Sequence, residues 1–476
     1  MKFSFTIFLI IFASSLFAQP VEGTLLGHWD DTTIIGSGQY DNRYNEVWGL
    51  SGNGKEYAVI GSTQGTHIID VTDPTKPEEV FFLEGRRKGR SIVHRDFHDF
   101  GCYLYAGCGE GNSSLQIMDI SQLPDTVFVV YDSDEAFLNT HNLFIDSSAA
   151  RLYTFAETRK NGFHEMSVYD ISNPTDPVYL KSFGTFAGID ASHVHDGFIH
   201  NNIAYLNLGN AGMAIVDYTD LDNPIGLGTL TDYDDRGYNH SGWATPDDHY
   251  YYMADETWGY KLKAIDVSDP SDITVAKLFG ADAESPKSIA HNQILACNYL
   301  YVSYYFDGLQ VYDVSEPLNP KRVMYYDTYP DETIKNYKGA WGVFPFLPSG
   351  NILVSDMQTG LYIIQGLDDG CVEKKTTSCS SFVGTSVLDE NITKFEVFPN
   401  PVSDILTIDI DFESFSTHDV ELQIVDINGR EVFTQKEKTQ LNNEWKLDLS
   451  QLQNGFYILN IKANHLMVSR KIVVSK

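Results

Sequence analysis

Residues 309–317 read LQVYDVSEP, an alternating strand pattern that stops on Asp313, with a hydroxyl at Ser315 and Pro317 just beyond. The same phrase recurs as THIIDVTDP, LQIMDISQLP, MSVYDISNP, MAIVDYTDLDNP and LKAIDVSDP. Its aspartates, Asp70, Asp119, Asp170, Asp217, Asp266 and Asp313, follow one another at intervals of 47 to 51 residues. A further copy, LYIIQGL, has Gln365 in the aspartate's place, 52 residues after Asp313. The aspartate can accept backbone N–H bonds in the next turn, and proline cannot continue a strand ladder, so each strand ends there.

Before each phrase stand two more strand-like runs, such as EVWGLS then YAVIGST, or HNQILA then YLYVSYY. After it comes another, such as EEVFFLE or PVYLKSF. Four short strands per unit, with turn signals between, is the pattern of a propeller blade. The copies imply seven blades. An open ring would leave an unpaired sheet edge at each end. The last copy ends near Gly366 with no strand after it, while GTLLGHWD at residues 23 to 30 resembles an unattached fourth strand. The expectation is that this segment completes the last blade and shuts the ring. A solenoid is the alternative for such repeats, but long all-β units with little helical periodicity favour closure.

Residues 367–390 are polar and lack apolar periodicity, which reads as a linker. Beyond it, strand-like runs are split by Asn-Gly and proline-containing turns, the pattern of a small β-sandwich. The fold class is therefore all-β: a seven-bladed β-propeller over residues 19–366, then a small immunoglobulin-like β-sandwich over residues 391–476.

At its start the chain has Lys2, an apolar run from Phe3 to Ala13 and small residues up to Ala18. This is the pattern of a secretory signal peptide over residues 1–18. The run is too short to span a bilayer, and no later stretch approaches the length a membrane helix needs. The formal charge of -32 repels polyanions, so nucleic acid and anionic membranes are poor partners. The one basic cluster, Arg86-Arg87-Lys88-Gly89-Arg90, fits a solvated loop with local ion pairs. Five cysteines in an exported chain leave one over if the rest bridge. Cys371 and Cys379 flank a short polar segment and can close a small loop. Cys102 and Cys108 are close in sequence and Cys297 lies in an apolar strand pattern, and a buried thiol suits each of them equally well.

Two resemblances follow from particular residues. The tail resembles the type A sorting domain of the Bacteroidetes type IX secretion system at Pro399-Asn400-Pro401, at Val425 to Arg430, at Leu449 and Leu452, and at Asn454-Gly455-Phe456-Tyr457. Its basic end at Lys471 and Lys476 fits as well. The resemblance implies recognition by that machinery, and a secreted or outer-membrane surface location after passage through the periplasm. The repeats resemble LVIVD-repeat proteins, and more narrowly the choice-of-anchor B family, whose members carry different C-terminal anchors. The supporting residues are Thr140-His141-Asn142, Asn239 to Trp243, Ala254-Asp255-Glu256, and Trp341 followed by Pro345 to Asn351. Gln365 departs from the repeated aspartate.

In a propeller every innermost strand runs the same way along the central channel, so its first residues gather at one mouth. Those starts carry His94, His141, His195, His240 and His291, with Asn45-Glu46 and Ala340-Trp341 in the first and last blades. His98 is an alternative to His94. Loops joining the second and third strands should open on the same face, with Glu110, Glu157, Asp255, Glu256, Asp307 and Asp356. The expected channel-mouth set is His141, His195, His240, His291, Glu157, Asp255, Glu256 and Trp341. The four histidines are the expected ligands for a divalent metal, since neutral imidazole suits Zn²⁺ and similar ions. No motif demands a cofactor. The competing explanation is structural: each His or Asn bonds backbone of the neighbouring blade, and the acidic residues cap turns.

The sequence contains no Gly-x-Ser-x-Gly elbow, His-Glu-x-x-His pair or phosphate-cradling loop. The favoured reading is an exported binding propeller whose mouth holds a protein, glycan or ion. The alternative is a metal-dependent extracellular hydrolase or lyase built on the same residues.

Overall fold

The computed structural model describes residues 20–367 apart from 53, 281–286 and 331–336. It also describes residues 392–476 apart from 401, 413–418, 427–430, 439–441, 454, 464–465 and 475. The segments expected to be a signal peptide and, almost entirely, a linker lie outside the described residues, as do Cys371 and Cys379. No helix among the described residues is long and apolar enough to cross a membrane.

The repeated aspartate does what its chemistry suggests. Oδ1 of Asp70, Asp119, Asp170, Asp217, Asp266 and Asp313 each accepts the backbone N–H two residues on, at 2.7–3.1 Å. That bond turns the chain out of the third strand and into the fourth. The register between those two strands shifts by one residue at the same place in several copies, for example between Ile68 and Ile69 and between Val311 and Tyr312. A bulge there adds twist, which suits a radially packed sheet.

Among the described residues of the repeat region, seven sheets have four main strands each, and one of them gains a short fifth strand. Their innermost strands are Tyr44–Gly52, Arg95–Phe100, Asn142–Asp146, Asp196–His200, Asn239–Ala244, Gln293–Ala296 and Ala340–Phe344. Each contacts the next, and the last contacts the first, so the sheets form a closed β-propeller. Closure is made as expected: Leu25–Trp29 pairs antiparallel with Gly360–Ile364. Val21–Glu22 pairs parallel with Lys321–Tyr326 in the preceding sheet, so the leading segment ties two sheets together.

Neighbouring sheets meet closely where glycine allows it. A Cβ on Gly27 would lie 1.8 Å from the Pro74 carbonyl oxygen of the next sheet. Gly228 stands in the same relation to Pro270, again at 1.8 Å. The turn proline of one repeat thus packs its backbone against the outer strand of the one before.

Cys102 and Cys297 both form disulfide bonds, while Cys108 is a buried free thiol. The basic cluster is paired locally, Arg86 with Asp134 at 3.5 Å and Lys88 with Glu84.

The C-terminal region folds into two sheets. One holds Ile392–Phe398, Ile405–Phe412 and Asn442–Asp448; the other holds Glu431–Lys438, Asp419–Asp426, Gly455–Ala463 and Leu466–Val474. Leu406, Ile408 and Ile410, then Val420, Leu422 and Ile424, then Trp445, Leu447 and Leu449 are buried at every second position. That spacing is the mark of strands with one face on a shared core.

Candidate functional site

The starts of the inner strands converge on one mouth of the channel, and their side chains form a closed circle of rings. His94 faces His141 with centroids 4.7 Å apart, His141 faces His195 at 4.3 Å, and His195 faces His240 at 4.3 Å. The circle continues from His240 to His291 at 4.4 Å and from His291 to Trp341 at 4.2 Å, and closes from Trp341 to His94 at 5.4 Å. The first sheet contributes Asn45 and Glu46 in place of a ring, and Asn45 Nδ2 donates to the Val93 carbonyl of the second sheet at 3.0 Å.

This circle lines a cavity of about 440 Å³, together with Glu46, Glu256, Tyr40, Tyr238, Tyr305 and Tyr337. A layer of carboxylates and amides lies one step deeper along the inner strands: Glu46, Asp96, Asn142, Asp196 and Asn292 border a small chamber of about 70 Å³. Below it a second circle of rings crosses the channel. It runs Trp48, His98, Phe144, Phe198, Trp243, Phe346 and Phe344 and returns to Trp48, with centroids 4.6–6.3 Å apart. His94 and His98 are therefore both ring members, one in each circle.

The polar contacts at the mouth are specific. Nδ1–H of His291 donates to the Trp341 carbonyl oxygen at 2.6 Å, which leaves Nε2 as the acceptor nitrogen, because a carbonyl can only accept. The Tyr238 hydroxyl bridges His195 Nδ1 at 2.9 Å and His193 Nε2 at 2.6 Å. His195 Nε2 lies 3.1 Å from His141 Nε2. The Tyr305 hydroxyl donates to Glu256 Oε1 at 2.6 Å, and Glu256 Oε2 lies 3.9 Å from His240 Nε2. His94 Nδ1 is held by Glu110, which also accepts the backbone N–H groups of Val93 and His94.

Burial dominates the electrostatics. It holds the imidazoles of His141, His195 and His240 well below the ordinary histidine range, with repulsion from neighbouring histidines adding to it. Burial brings His291 down to about 3 against the opposing bond to Trp341. These rings are neutral near pH 7, the form that offers a lone pair. The carboxyls move the other way. Burial raises Glu256 to about 7 against the Tyr305 bond, and raises Asp96 and Asp196 to about 7. It raises Glu46 well above the usual range, helped by the charge of Asp96. Asn292 Nδ2 donates to Glu46 Oε2 at 2.6 Å, a bond from the sixth sheet to the first.

The structure brings together His141, His195, His240, His291, Glu256 and Trp341 of the expected set. Glu157 and Asp255 require correction, because neither lines the cavity. Glu157 is buried inside its own sheet, where Ser167 and Tyr169 donate to it at 3.0 and 2.8 Å alongside the Thr154 hydroxyl. Asp255 is 2 % exposed, pairs with Lys263 at 3.2 Å and accepts the Gly237 N–H at 2.7 Å. Both carboxylates satisfy buried donors of the scaffold. The other acidic loop residues do likewise: Asp307 accepts from Ser288, and Asp356 accepts the backbone N–H groups of Gln358 and Thr359. The structural explanation holds for Asn45 and for Nδ1 of His291, and His240 is also influenced by the His291 backbone of the next sheet; His94, His141 and His195 meet rings, a hydroxyl or a carboxylate instead.

Sequence reasoning placed Glu46 at the mouth but missed Asp96, Asp196 and most of the tyrosines. Asp196 directly follows a ring histidine and Asp96 stands two residues after one, so the register of the inner strands was the available signal. Tyr40, Tyr238 and Tyr337 come from segments leading into inner strands, where sequence offers no periodicity to read.

A closed ring of antiparallel sheets with a lined pocket at one channel mouth defines a β-propeller. Residues 48–83, 162–185, 248–278 and 293–328 match the LVIVD repeat. Residues 396–475 match the secretion system C-terminal sorting domain. The chain thus carries LVIVD repeats and a type IX sorting tail, which is recognised by the type IX machinery and directs the protein to the cell surface or the medium. No curated protein matches the chain. Among solved structures it is similar to the RRP9 WD40 repeats at 9% identity and a TM-score of 0.48, covering 70% of this chain and 96% of that one. It is similar to the C-terminal WD40 domain of Sif2 at 8% identity and a TM-score of 0.48, covering 73% and 99%. A putative 6-phosphogluconolactonase from Bacteroides uniformis is similar at 15% identity and a TM-score of 0.45, covering 67% and 94%.

Proposed function

We propose that this exported propeller is a binding module that takes its ligand at the channel mouth. The supporting observation is the circle of five imidazoles and Trp341 around a cavity of about 440 Å³, backed by a second aromatic circle. A pocket of that size and lining suits a small polar ligand or the end of a glycan, since ring faces stack on sugars and imidazoles and carboxyls fix hydroxyls. Thermal shift of the purified protein against a panel of cell-wall and host glycans tests the reading. A hit should raise the melting temperature of the wild type and raise that of Tyr337→Ala much less. A panel that shifts neither protein would count against it.

A second reading, a metal-dependent extracellular hydrolase or lyase, draws support from Glu256. Its carboxyl is brought to about 7 beside His240, which suits a general base. Turnover of glycosidic or ester substrates that disappears in Glu256→Gln would favour it over simple binding.

A further inference from the structure

We infer that the channel mouth holds a divalent first-row transition ion on His240, His291 and Glu256, with its remaining coordination positions facing the cavity. This rests on the reading of the mouth as a binding site and names what occupies it first.

One potential ligand atom from each of these residues lies within 4.8 Å of the others, and among the described residues no other trio of histidine, cysteine or acidic side chains comes together in this way. The span is somewhat wider than ligands around a bound ion, about 3 to 4 Å for metal–ligand distances near 2 Å. Of these separations, His240 Nε2 to Glu256 Oε2 is 3.9 Å, already within that range.

The surroundings prepare each ligand. His291 gives its Nδ1 proton to the Trp341 carbonyl, so Nε2 presents its lone pair. A backbone acceptor on the far nitrogen is the usual means of fixing a metal-binding imidazole. Tyr305 occupies Oε1 of Glu256 and leaves Oε2 on the side of His240. His240 and His291 are both 3 % exposed, each held by the next ring in the circle. Two neutral imidazoles and one carboxylate form a nitrogen-rich set that suits Zn²⁺, Fe²⁺ or Co²⁺ and is poor for Ca²⁺ or Mg²⁺, which take oxygen ligands. Three protein ligands leave open positions, and the cavity lies in front of them. Glycan hydroxyls or a carboxylate could therefore reach the ion.

The test uses the full exported chain, stripped with chelator and titrated with Zn²⁺ by calorimetry, with bound Co²⁺ absorption as a second readout. The expected result is one equivalent of Zn²⁺ per chain. Affinity should fall about tenfold or more in His291→Gln and in Glu256→Gln, and stay unchanged in His249→Ala, an exposed histidine away from the mouth. Circular dichroism melts establish that each variant is folded; if His291→Gln is not, Glu256→Gln decides. Failure of the wild type to bind Zn²⁺ or Co²⁺, or equal binding by both mouth variants, overturns the inference. The glycan panel is run on the stripped protein as well, so metal-free protein that still binds glycans removes the ion and leaves the binding reading standing.

Discussion

Nε2 of His141 lies 3.1 Å from Nε2 of His195, so two imidazoles from adjacent sheets meet nitrogen to nitrogen at the channel mouth. Two cations cannot share that distance in a buried site, and one proton between two neutral rings satisfies both. Burial, with repulsion from neighbouring histidines added, holds both groups well below the ordinary histidine range.

A pH dependence of stability follows. In the unfolded chain a histidine takes up a proton near pH 6.5, whereas His195 in the folded protein does so only well below that. Its contribution is intact above about pH 6.5 and is lost progressively as pH falls from there toward the lower folded-state value, because protons over that interval favour the unfolded chain. His195→Gln removes this term. Urea unfolding at pH 7.5 and pH 5 should show a smaller acid-induced loss in the variant than in the wild type. An equal loss in both would contradict the assignment.

Asp196 carries the opposite dependence. Its carboxyl is brought to about 7, against 3.8 for the group without that burial. Below pH 4 both folded and unfolded forms keep the proton and nothing is lost. As pH rises through the interval the unfolded chain releases its proton first, so stability falls, and the cost is complete above pH 7. Asp196→Asn keeps an acceptor for the Gly197 N–H and has no charge to bury. It should match the wild type below pH 4 and exceed it above pH 7, by on the order of 2–4 kcal/mol. A difference that does not change with pH would contradict this.

The contact between successive sheets is equally open to test. Alanine at Gly228 would place a Cβ 1.8 Å from the Pro270 oxygen, and alanine at Gly27 would meet Pro74 in the same way. Each should destabilise the propeller by about 1–3 kcal/mol as backbones are forced apart. Alanine at Gly54 or Gly101, where nothing lies within 4 Å, should leave the sheet contact intact and carry only the strain of a positive φ. Chemical denaturation of the four variants distinguishes a contact effect from a conformational one.

Much of this architecture was legible because the repeat carries its own punctuation. The aspartate that ends the third strand recurs at a fixed interval, and its turn bond is a local property that needs no partner elsewhere in the chain. Closure by Leu25–Trp29 was legible because a propeller tolerates no free edge. The ring histidines could be placed because the starts of parallel-running inner strands share one mouth. The acidic residues could not be sorted in this way. Asp255 and Glu256 are adjacent in sequence, yet one turns inward to Lys263 and the other faces the cavity, a choice made by strand pleat and by the position of a lysine eight residues away. Glu157 looks like Glu256 in sequence but meets three hydroxyl donors within its own sheet. Cysteine spacing left the bonding state open: Cys102 and Cys297 each form a disulfide bond, whereas Cys108, close to Cys102 in sequence, is a free buried thiol.

The most direct test of the ion assigned to the channel mouth is anomalous diffraction from crystals of the chain grown with Zn²⁺, recorded on both sides of the zinc absorption edge. One strong peak should lie between His240, Glu256 and His291, with the ring circle around it. A channel mouth without a peak, or zinc found only at exposed histidines such as His28 and His249, would contradict the account.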